Sequence, residues 1–453
     1  MSELAEKQSL REEEEGVRGY EEGRETPPPN KKTTKHRKVA VGLSVIPGLG
    51  QLYNRQFVKG FIFLFITAVF FIAFRDLLDI GLWGIVTLGT ELPRDHSIFL
   101  LVQGVIALIV SFLGLTVYGF NFYDAYQIGK KRDQGLSLNT VRQQYKNLID
   151  TGFPYLMLTP GYLLLLFVVV FPIIFMILLS FTNYDLYHSP PASLVDWIGF
   201  QNFIDIVKID IWRETFLSVF SWTVIWTFAA TTGQVAIGIL LAVVVNQKDI
   251  KFKGLIRTVF ILPWAIPAFV SILVFAGMFN ESFGAINASL LAVFGIDPIP
   301  WLTEPFWTKI ALIGIQWWLG FPFIFVMVTG VIQSIPGELY EAASLDGASA
   351  WDQFRNITLP MILFATAPIL ITQYTYNFNN FNVIYLFNGG GPAVSEQNAG
   401  GTDILISWVY DLTIASAQYG KAAAITMVLS LIVIGVALWQ FRRTKSFNEE
   451  DMM

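Results

Sequence analysis

Long apolar runs separated by short polar stretches make up most of the chain after residue 56. A helix needs about 20 mostly apolar residues to cross a hydrocarbon layer roughly 30 Å thick. Runs of that length predict spans at Phe57–Phe74, Ile98–Phe122, Tyr155–Phe181, Phe216–Val245, Leu255–Phe279, Ile310–Ile335, Met361–Leu386 and Ala422–Phe441. The pattern predicts an all-α polytopic membrane protein with about eight transmembrane helices. Val39–Tyr53 is apolar too, but short, and Pro47, Gly48 and Gly50 interrupt it. It predicts an interfacial or re-entrant piece and not a span.

The polar stretches differ in kind. Met1–Lys38 holds an acidic block, Glu12–Glu15 with Glu21 and Glu22, and then Lys31, Lys32, Lys35, Arg37 and Lys38. It has too little apolar content to fold, and no short apolar core with a small-residue cleavage site, so it predicts a disordered tail and not a signal peptide. Glu341–Pro360 is the longest polar segment in the C-terminal two-thirds and predicts two short helices about a turn at Asp346-Gly347. Glu341, Ala342, Ala343 and Leu345 favour helix, and Gly347 supplies the positive φ of a sharp turn. Ser349 caps the second helix, with Asp352 in its first turn, and Pro360 closes it and opens the next element. Such a segment between spans lies at a membrane face, where it can meet a soluble partner.

Composition removes several classes. With 54% hydrophobic and 14% charged residues, the chain is not a soluble domain. Cysteine is absent and His36, His96 and His188 are far apart, which leaves no disulfide framework and no thiolate or histidine metal cluster. No cluster of catalytic residues points to a membrane-bound enzyme. The placement of charge is more informative. One set of connections holds Lys130, Lys131, Arg132, Arg142, Lys146, Lys248, Lys251, Lys253, Arg257, Arg355, Arg442, Arg443 and Lys445; the other holds only Arg75, Arg94, Lys208, Arg213, Lys309 and Lys421. The positive-inside rule puts the tail, the C-terminus and Glu341–Pro360 in the cytoplasm. The outside segment Thr182–Thr215 carries Tyr184, Tyr187, Trp197 and Phe200, which suit the headgroup region.

Long stretches of the later spans hold no charge: none between residues 215 and 247, none between 355 and 396, and none in Phe260–Asn280, Ile310–Pro336 or Ala422–Phe441. Ion-coupled carriers keep an ionisable relay in the membrane, and ionic solutes need a charged partner. The pattern points to a neutral solute and to energy supplied by another chain. A stand-alone secondary carrier or channel for a neutral solute is the alternative, and co-purification with an ATPase separates the two. No GxxxxGK[ST] occurs; the run Asn388-Gly389-Gly390-Gly391-Pro392 lacks the Lys-Ser/Thr of a phosphate loop and reads as a flexible turn. The polar groups within the spans are amides and aromatics: Gln316, Trp317, Trp318, Gln373, Tyr374, Tyr376, Asn377, Asn379, Asn380 and Asn382. Paired amide donors and acceptors match sugar hydroxyls, and aromatic faces pack on pyranose rings. On one helix Gln373, Tyr376, Asn377 and Asn380 share a face at i, i+3, i+4 and i+7. That stripe reads as a binding face, whereas Asn379 and Asn382, off it, read as interhelical glue.

Glu341-Ala342-Ala343, Gly347 and Ile357-x-Leu359-Pro360 resemble the EAA motif of ABC-importer permeases, EAA-x₃-G-x₉-I-x-LP, with every fixed position present. The resemblance implies that residues 338–358 are cytoplasmic coupling helices docking on an ATPase subunit. Its contact positions would be Glu341, Ala342, Ala343, Gly347, Leu359 and Pro360.

From about Phe153 onward the likeness narrows. Ile261-Leu262-Pro263-Trp264-Ala265-Ile266-Pro267, Phe279-Asn280-x-Ser282-Phe283-Gly284, Trp318-Leu319-Gly320-Phe321-Pro322 and Tyr376–Phe381 resemble the MalF-type permeases of maltose and maltodextrin importers. This implies the MetI-like permease core over 151–453, with 39–150 an N-terminal region carrying two extra spans and 1–38 the tail. It also implies the partners: a second, MalG-like permease subunit, two ATPase subunits, an extracytoplasmic sugar-binding protein, maltose or maltodextrin, and membrane lipid. No cofactor, metal or nucleic acid is implied. Carried over residue by residue, the sugar site would comprise Trp264, Ala268, Gln316, Leu319, Gly320, Phe323, Gln373, Tyr376, Asn377 and Asn380. The chain departs from the enteric form, whose large outside domain between the third and fourth spans is replaced by Thr182–Thr215. Trp264 and Phe323 stand where the best-known member has Tyr, and Gln373 where it has Ser, which leaves the sugar and its chain length open.

Overall fold

The computed structural model describes residues 35–443, apart from 151 and 248. In chain order the helices are α1 His36–Leu43, α2 Leu49–Tyr53, α3 Phe57–Thr87, α4 Ser97–Asp133 and α5 Val141–Asp150. Then come α6 Phe153–Leu179, α7 Gln201–Lys208, α8 Asp210–Asn246, α9 Lys253–Ala265, α10 Ala268–Met278 and α11 Pro305–Ser334. The remainder are α12 Gly337–Leu345, α13 Ala350–Gln353, α14 Leu359–Phe378, α15 Phe381–Asn388, α16 Leu405–Ile414 and α17 Tyr419–Arg443. Among the described residues only isolated β-bridges occur, so the fold is all-α as expected.

Seven helices are long and apolar enough to cross a membrane, or eight when the bent pair α9–α10 is one span. Each expected span falls in one of these. The helices are longer than the apolar windows: α3 has 31 residues and runs on past Arg75, Asp76 and Asp79. At 1.5 Å per residue that is ~46 Å, more than the hydrocarbon layer, so α3 carries its polar turns beyond it.

Two expectations at element ends are corrected. The tail expected to run to Lys38 gives way to helix at His36, because Asp133 accepts hydrogen bonds from the His36 and Arg37 backbone N–H groups at 2.8 and 3.3 Å. This long-range cap is invisible in the local sequence. Pro360 does not separate two elements: α13, a π turn at Phe354–Thr358 and α14 run on as one rod. The wide turn just before Pro360 takes up the site where its missing N–H would break a regular helix.

The chain forms two compact units. One holds the described residues up to Thr87 with Phe99–Pro172; the other holds Leu88–Ile98 and the chain from Ile173 onward. The division falls within α6, between Pro172 and Ile173. In the second unit, apolar faces bury three clusters. Trp222, Trp226, Ile272, Leu312, Ile315, Ile384 and Phe387 join α8, α10, α11 and α15. Trp212, Trp408, Leu412 and Ile425 join α8, α16 and α17. Ile239, Ile324, Phe325, Val328 and Ile362 join α8, α11 and α14. Helices α8 and α11 thus form the frame on which the shorter pieces are hung.

Candidate functional site

Two of the spans in this second unit are broken. The expected straight span Leu255–Phe279 bends by 87° between α9 and α10. Ile266 is extended there, and Pro267, which follows it, has no N–H to continue the helix. The second break lies between α14 and α15, where Asn379 and Asn380 leave helical geometry. Non-helical backbone at membrane depth is tolerated only where protein buries it or where it lines a polar cavity. At this second break the Asn379, Asn380 and Phe381 N–H groups bond to the Tyr376, Asn377 and Asn379 carbonyls, and the side chains around them form a polar row.

A row of amides crosses α14, α8, α11 and the break. Gln234 Nε2 donates to Gln373 Oε1 at 3.3 Å, and Gln316 Nε2 donates to Gln234 Oε1 at 2.9 Å. Asn380 Nδ2 donates to Gln316 Oε1 at 3.0 Å and to Asn377 Oδ1 at 3.2 Å. Asn377 Nδ2 ends the row on Thr231 Oγ1 at 2.9 Å, and Trp226 Nε1 donates to the Asn377 carbonyl at 2.9 Å. Gln234, Gln316, Asn377, Asn380 and Thr231 are all buried. Gly320 makes this approach possible: a Cβ there would lie 1.9 Å from Gln234 Oε1. A row of donors and acceptors in low dielectric reinforces itself, and it holds three helices at fixed separations.

The expected sugar-site residues therefore divide. Gln373, Gln316, Asn377, Asn380 and Gly320 come together in the buried row. Tyr376 is 59% exposed and Trp264 57% exposed, the latter meeting the Phe323 ring edge-on at 5.9 Å between centroids. Ala268 is exposed at the start of α10, and Leu319 packs on the Trp222–Trp226 cluster. The single helical face is corrected, since α14 ends at Phe378 and Asn380 lies in the break. The hydrogen bonds of the asparagines also differ from the expectation that Asn379 and Asn382 are the ones that tie helices together. The Asn379 side chain bonds to the Thr375 carbonyl of its own helix and Asn382 is exposed, whereas the Asn377 and Asn380 side chains bond across to neighbouring helices. Gln234, Thr231 and Trp226 were not anticipated. Their signal was a lone amide beside Thr231-Thr232-Gly233 in an apolar run, which a search for charge passes over.

At one end of this unit α12 and α13 form the polar hairpin. Glu341, Ala342 and Ala343 lie on α12, and Gly347 follows with φ +81°. The Gly347 N–H bonds to the Ser344 carbonyl at 3.1 Å and the Ala348 N–H to the Ala343 carbonyl at 2.9 Å. That pair of bonds is a Schellman closure, and it requires the left-handed residue. Ser349 and Asp352 form a capping box on α13. Tyr340 and Thr358 hydroxyls meet at 2.9 Å, which fixes the hairpin to the start of the α14 rod that carries Leu359 and Pro360. Leu345 is 89% exposed and Trp351 65% exposed, on either side of the turn. Near the same end Arg257 donates to Asn246 at 2.7 Å.

At the other end, the Gly-rich stretch is held in place and is not a flexible turn. Thr402 N–H bonds to the Gly390 carbonyl at 2.9 Å and Gly401 N–H to the Pro392 carbonyl at 2.7 Å. Asp403 sits beneath, accepting from Gly400 N–H and the Ser407 hydroxyl, each at 2.7 Å. Burial pushes its carboxyl up to about 6, against those two hydrogen bonds.

Broken spans about a buried polar row, with an exposed polar hairpin at one end, suit a transport permease. The comparisons agree. A family model described as binding-protein-dependent transport system inner membrane component matches residues 234–446. The galactooligosaccharides transport system permease protein GanP of Bacillus subtilis is 60% identical over 92% of this chain and 100% of its own length. The maltodextrin transport system permease protein MdxF of the same organism is 50% identical over 93% of this chain and 98% of its own. The Vibrio parahaemolyticus maltose/maltodextrin permease MalF is 40% identical over 56% of this chain and 49% of its own. A crystal structure of a bacterial ABC transporter that imports alginate aligns with TM-score 0.55 at 24% identity, over 67% of this chain and 99% of that one. The chain belongs to the inner membrane components of binding-protein-dependent transport systems, with the MetI-like permease fold.

Proposed function

We propose that this chain forms the membrane path of an ATP-driven importer for a short neutral oligosaccharide. The observation that carries the reading is the buried row Gln373–Gln234–Gln316–Asn380–Asn377 beside a broken span, with no ionisable group within it. In the arrangement described, the amides satisfy one another. A sugar would enter by exchanging its hydroxyls for some of these bonds, while Tyr376, Trp264 and Phe323 offer aromatic surface and Ala268, Leu319 and Gly320 leave room. The relatives named for galactooligosaccharides and for maltodextrin both carry neutral glycans, and the higher identity of the former puts galactooligosaccharides first and maltodextrin second.

Energy enters at α12–α13. Glu341, Ala342, Ala343 and Gly347, with exposed Leu345 and Trp351, would dock on an ATPase, and Leu359-Pro360 would pass the movement into the α14 rod. The full assembly would hold a second, MalG-like permease subunit, two ATPase subunits and an extracytoplasmic sugar-binding protein, with both termini of this chain in the cytoplasm. Uptake of radiolabelled galactooligosaccharide and maltodextrin by cells with and without this chain tests the substrate. Loss of either on deletion supports the reading; unchanged uptake of both removes the sugar assignment.

A further inference from the structure

The first unit contains a small structure that the transport reading does not use. Helices α1 and α2 form a hairpin that lies along α4. At its base, the carboxylate of Asp133 accepts from the His36 and Arg37 N–H groups. Arg132 donates to the Tyr53 carbonyl at 2.8 Å and lies 5.2 Å from the Tyr53 ring. At its tip, Tyr118 donates to the Val45 carbonyl at 3.0 Å, and Asn121 bonds the Ser44 carbonyl and the Gly48 N–H at 2.9 and 3.1 Å. Helix α4 serves as a ruler: from Asp133 to Tyr118 is ~22 Å at 1.5 Å per residue. The tip lies roughly one to two turns beyond the Lys59–Asp124 ion pair, toward the exposed apolar side chains Phe112, Leu115 and Val117.

The two ends of the hairpin differ in chemistry. The tip exposes Val45 (62%) and Ile46 (56%), although it is irregular backbone. Irregular backbone can enter hydrocarbon only when its polar groups are bonded within the protein. Asn121, wholly buried, does that for the Ser44 carbonyl and the Gly48 N–H of the tip. The base carries Arg37, Lys38, Lys130 and Lys131, all exposed, and among the described residues none is in an ion pair. The nearby Asp133 is occupied by the backbone of α1. We propose that the hairpin is a wedge in one leaflet, its Val45–Ile46 tip among acyl chains and its basic base on anionic phospholipid headgroups. A basic face above an apolar one, entering by ~5–10 Å, is how interfacial elements select anionic membranes. The inference rests on the transport reading only in placing this end at the cytoplasmic leaflet.

The native chain has no cysteine, so Ile46→Cys can carry an environment-sensitive fluorophore. The assembled complex is placed in nanodiscs of phosphatidylcholine, or of an equal mixture with phosphatidylglycerol. A nitroxide on the lipid acyl chain should quench the probe at residue 46, whereas an aqueous quencher should not. Asn121→Ala should abolish most of the lipid quenching by releasing the tip. The combined Arg37→Glu, Lys38→Glu, Lys130→Glu and Lys131→Glu variant should retain several-fold less phosphatidylglycerol on purification. Equal retention by that variant would overturn the headgroup site. A probe reached by the aqueous quencher would overturn the wedge, as would a probe shielded from both quenchers, which would mean that protein covers the tip. Reaction of Arg37→Cys with an impermeant thiol reagent on intact cells would uphold the wedge and reverse the orientation taken above.

Discussion

Gly320 decides whether the amide row can form. A methyl group there would sit 1.9 Å from Gln234 Oε1, so Gly320→Ala must displace Gln234 from Gln316 and Gln373. Leaving buried amides unpaired costs ~1–3 kcal/mol each. Gly320→Ala should therefore lower the thermal stability of the purified complex and its sugar uptake. Adding Gln234→Ala to it should cost little more, since the bonds are already lost. Fully additive losses would show that Gly320 and Gln234 do not act through one another. The row also separates two variants that the sequence pattern treats alike. Asn377 is wholly buried, so Asn377→Ala would weaken assembly together with transport. Exposed Tyr376 is the residue whose loss can be read as a loss of sugar contact.

At the scale of elements, the α12–α13 hairpin owes its shape to a turn and a cap. No atom lies within 4 Å of a Cβ placed at Gly347, so a substitution there acts through φ +81° and not through crowding. An L-residue held in that region costs ~1–2 kcal/mol, and Ser349→Ala removes a cap worth ~1 kcal/mol. Both variants should reach the membrane yet retain less ATPase on purification and show weaker binding-protein-stimulated ATP hydrolysis. Wild-type coupling in both would take the hairpin out of the energy path. The loop under Gly390 carries a different signature. Asp403 holds its proton up to about 6, above the value of 3.8 usual for the group. Its contribution to stability is thus full below ~4 and lost as pH rises through about 6. Protease should cut this loop more slowly in mild acid than at neutral pH, and Asp403→Asn should flatten that dependence. A loop equally resistant at both would contradict it.

For the whole molecule, the charge pattern makes a topological claim. With no native cysteine, Ser395→Cys should react with an impermeant thiol reagent on intact cells and Arg355→Cys should not; the reverse would invert the chain. The spans themselves were legible because length and hydropathy suffice for a helix in lipid. The break at Pro267 was not, since a proline in an apolar run is consistent with a kink or a stop. The break at Asn379–Asn380 had no backbone signal at all. Gln316 and Asn377 stood out as amides in apolar runs, but their partner Gln234 was hidden by a search for ionisable groups. The cap of α1 by Asp133 spans 97 residues, a separation no local pattern reports. The central claim is that sugar passes between these broken spans. Its most direct test is sugar-dependent ATP hydrolysis by the reconstituted complex carrying Tyr376→Ala, beside Asn382→Ala as control. Losing ~1–3 kcal/mol of binding predicts that Tyr376→Ala needs about tenfold to a hundredfold more sugar for the same stimulation, at unchanged basal hydrolysis. An unaltered sugar response in Tyr376→Ala, with the response lost in Asn382→Ala, would contradict the account.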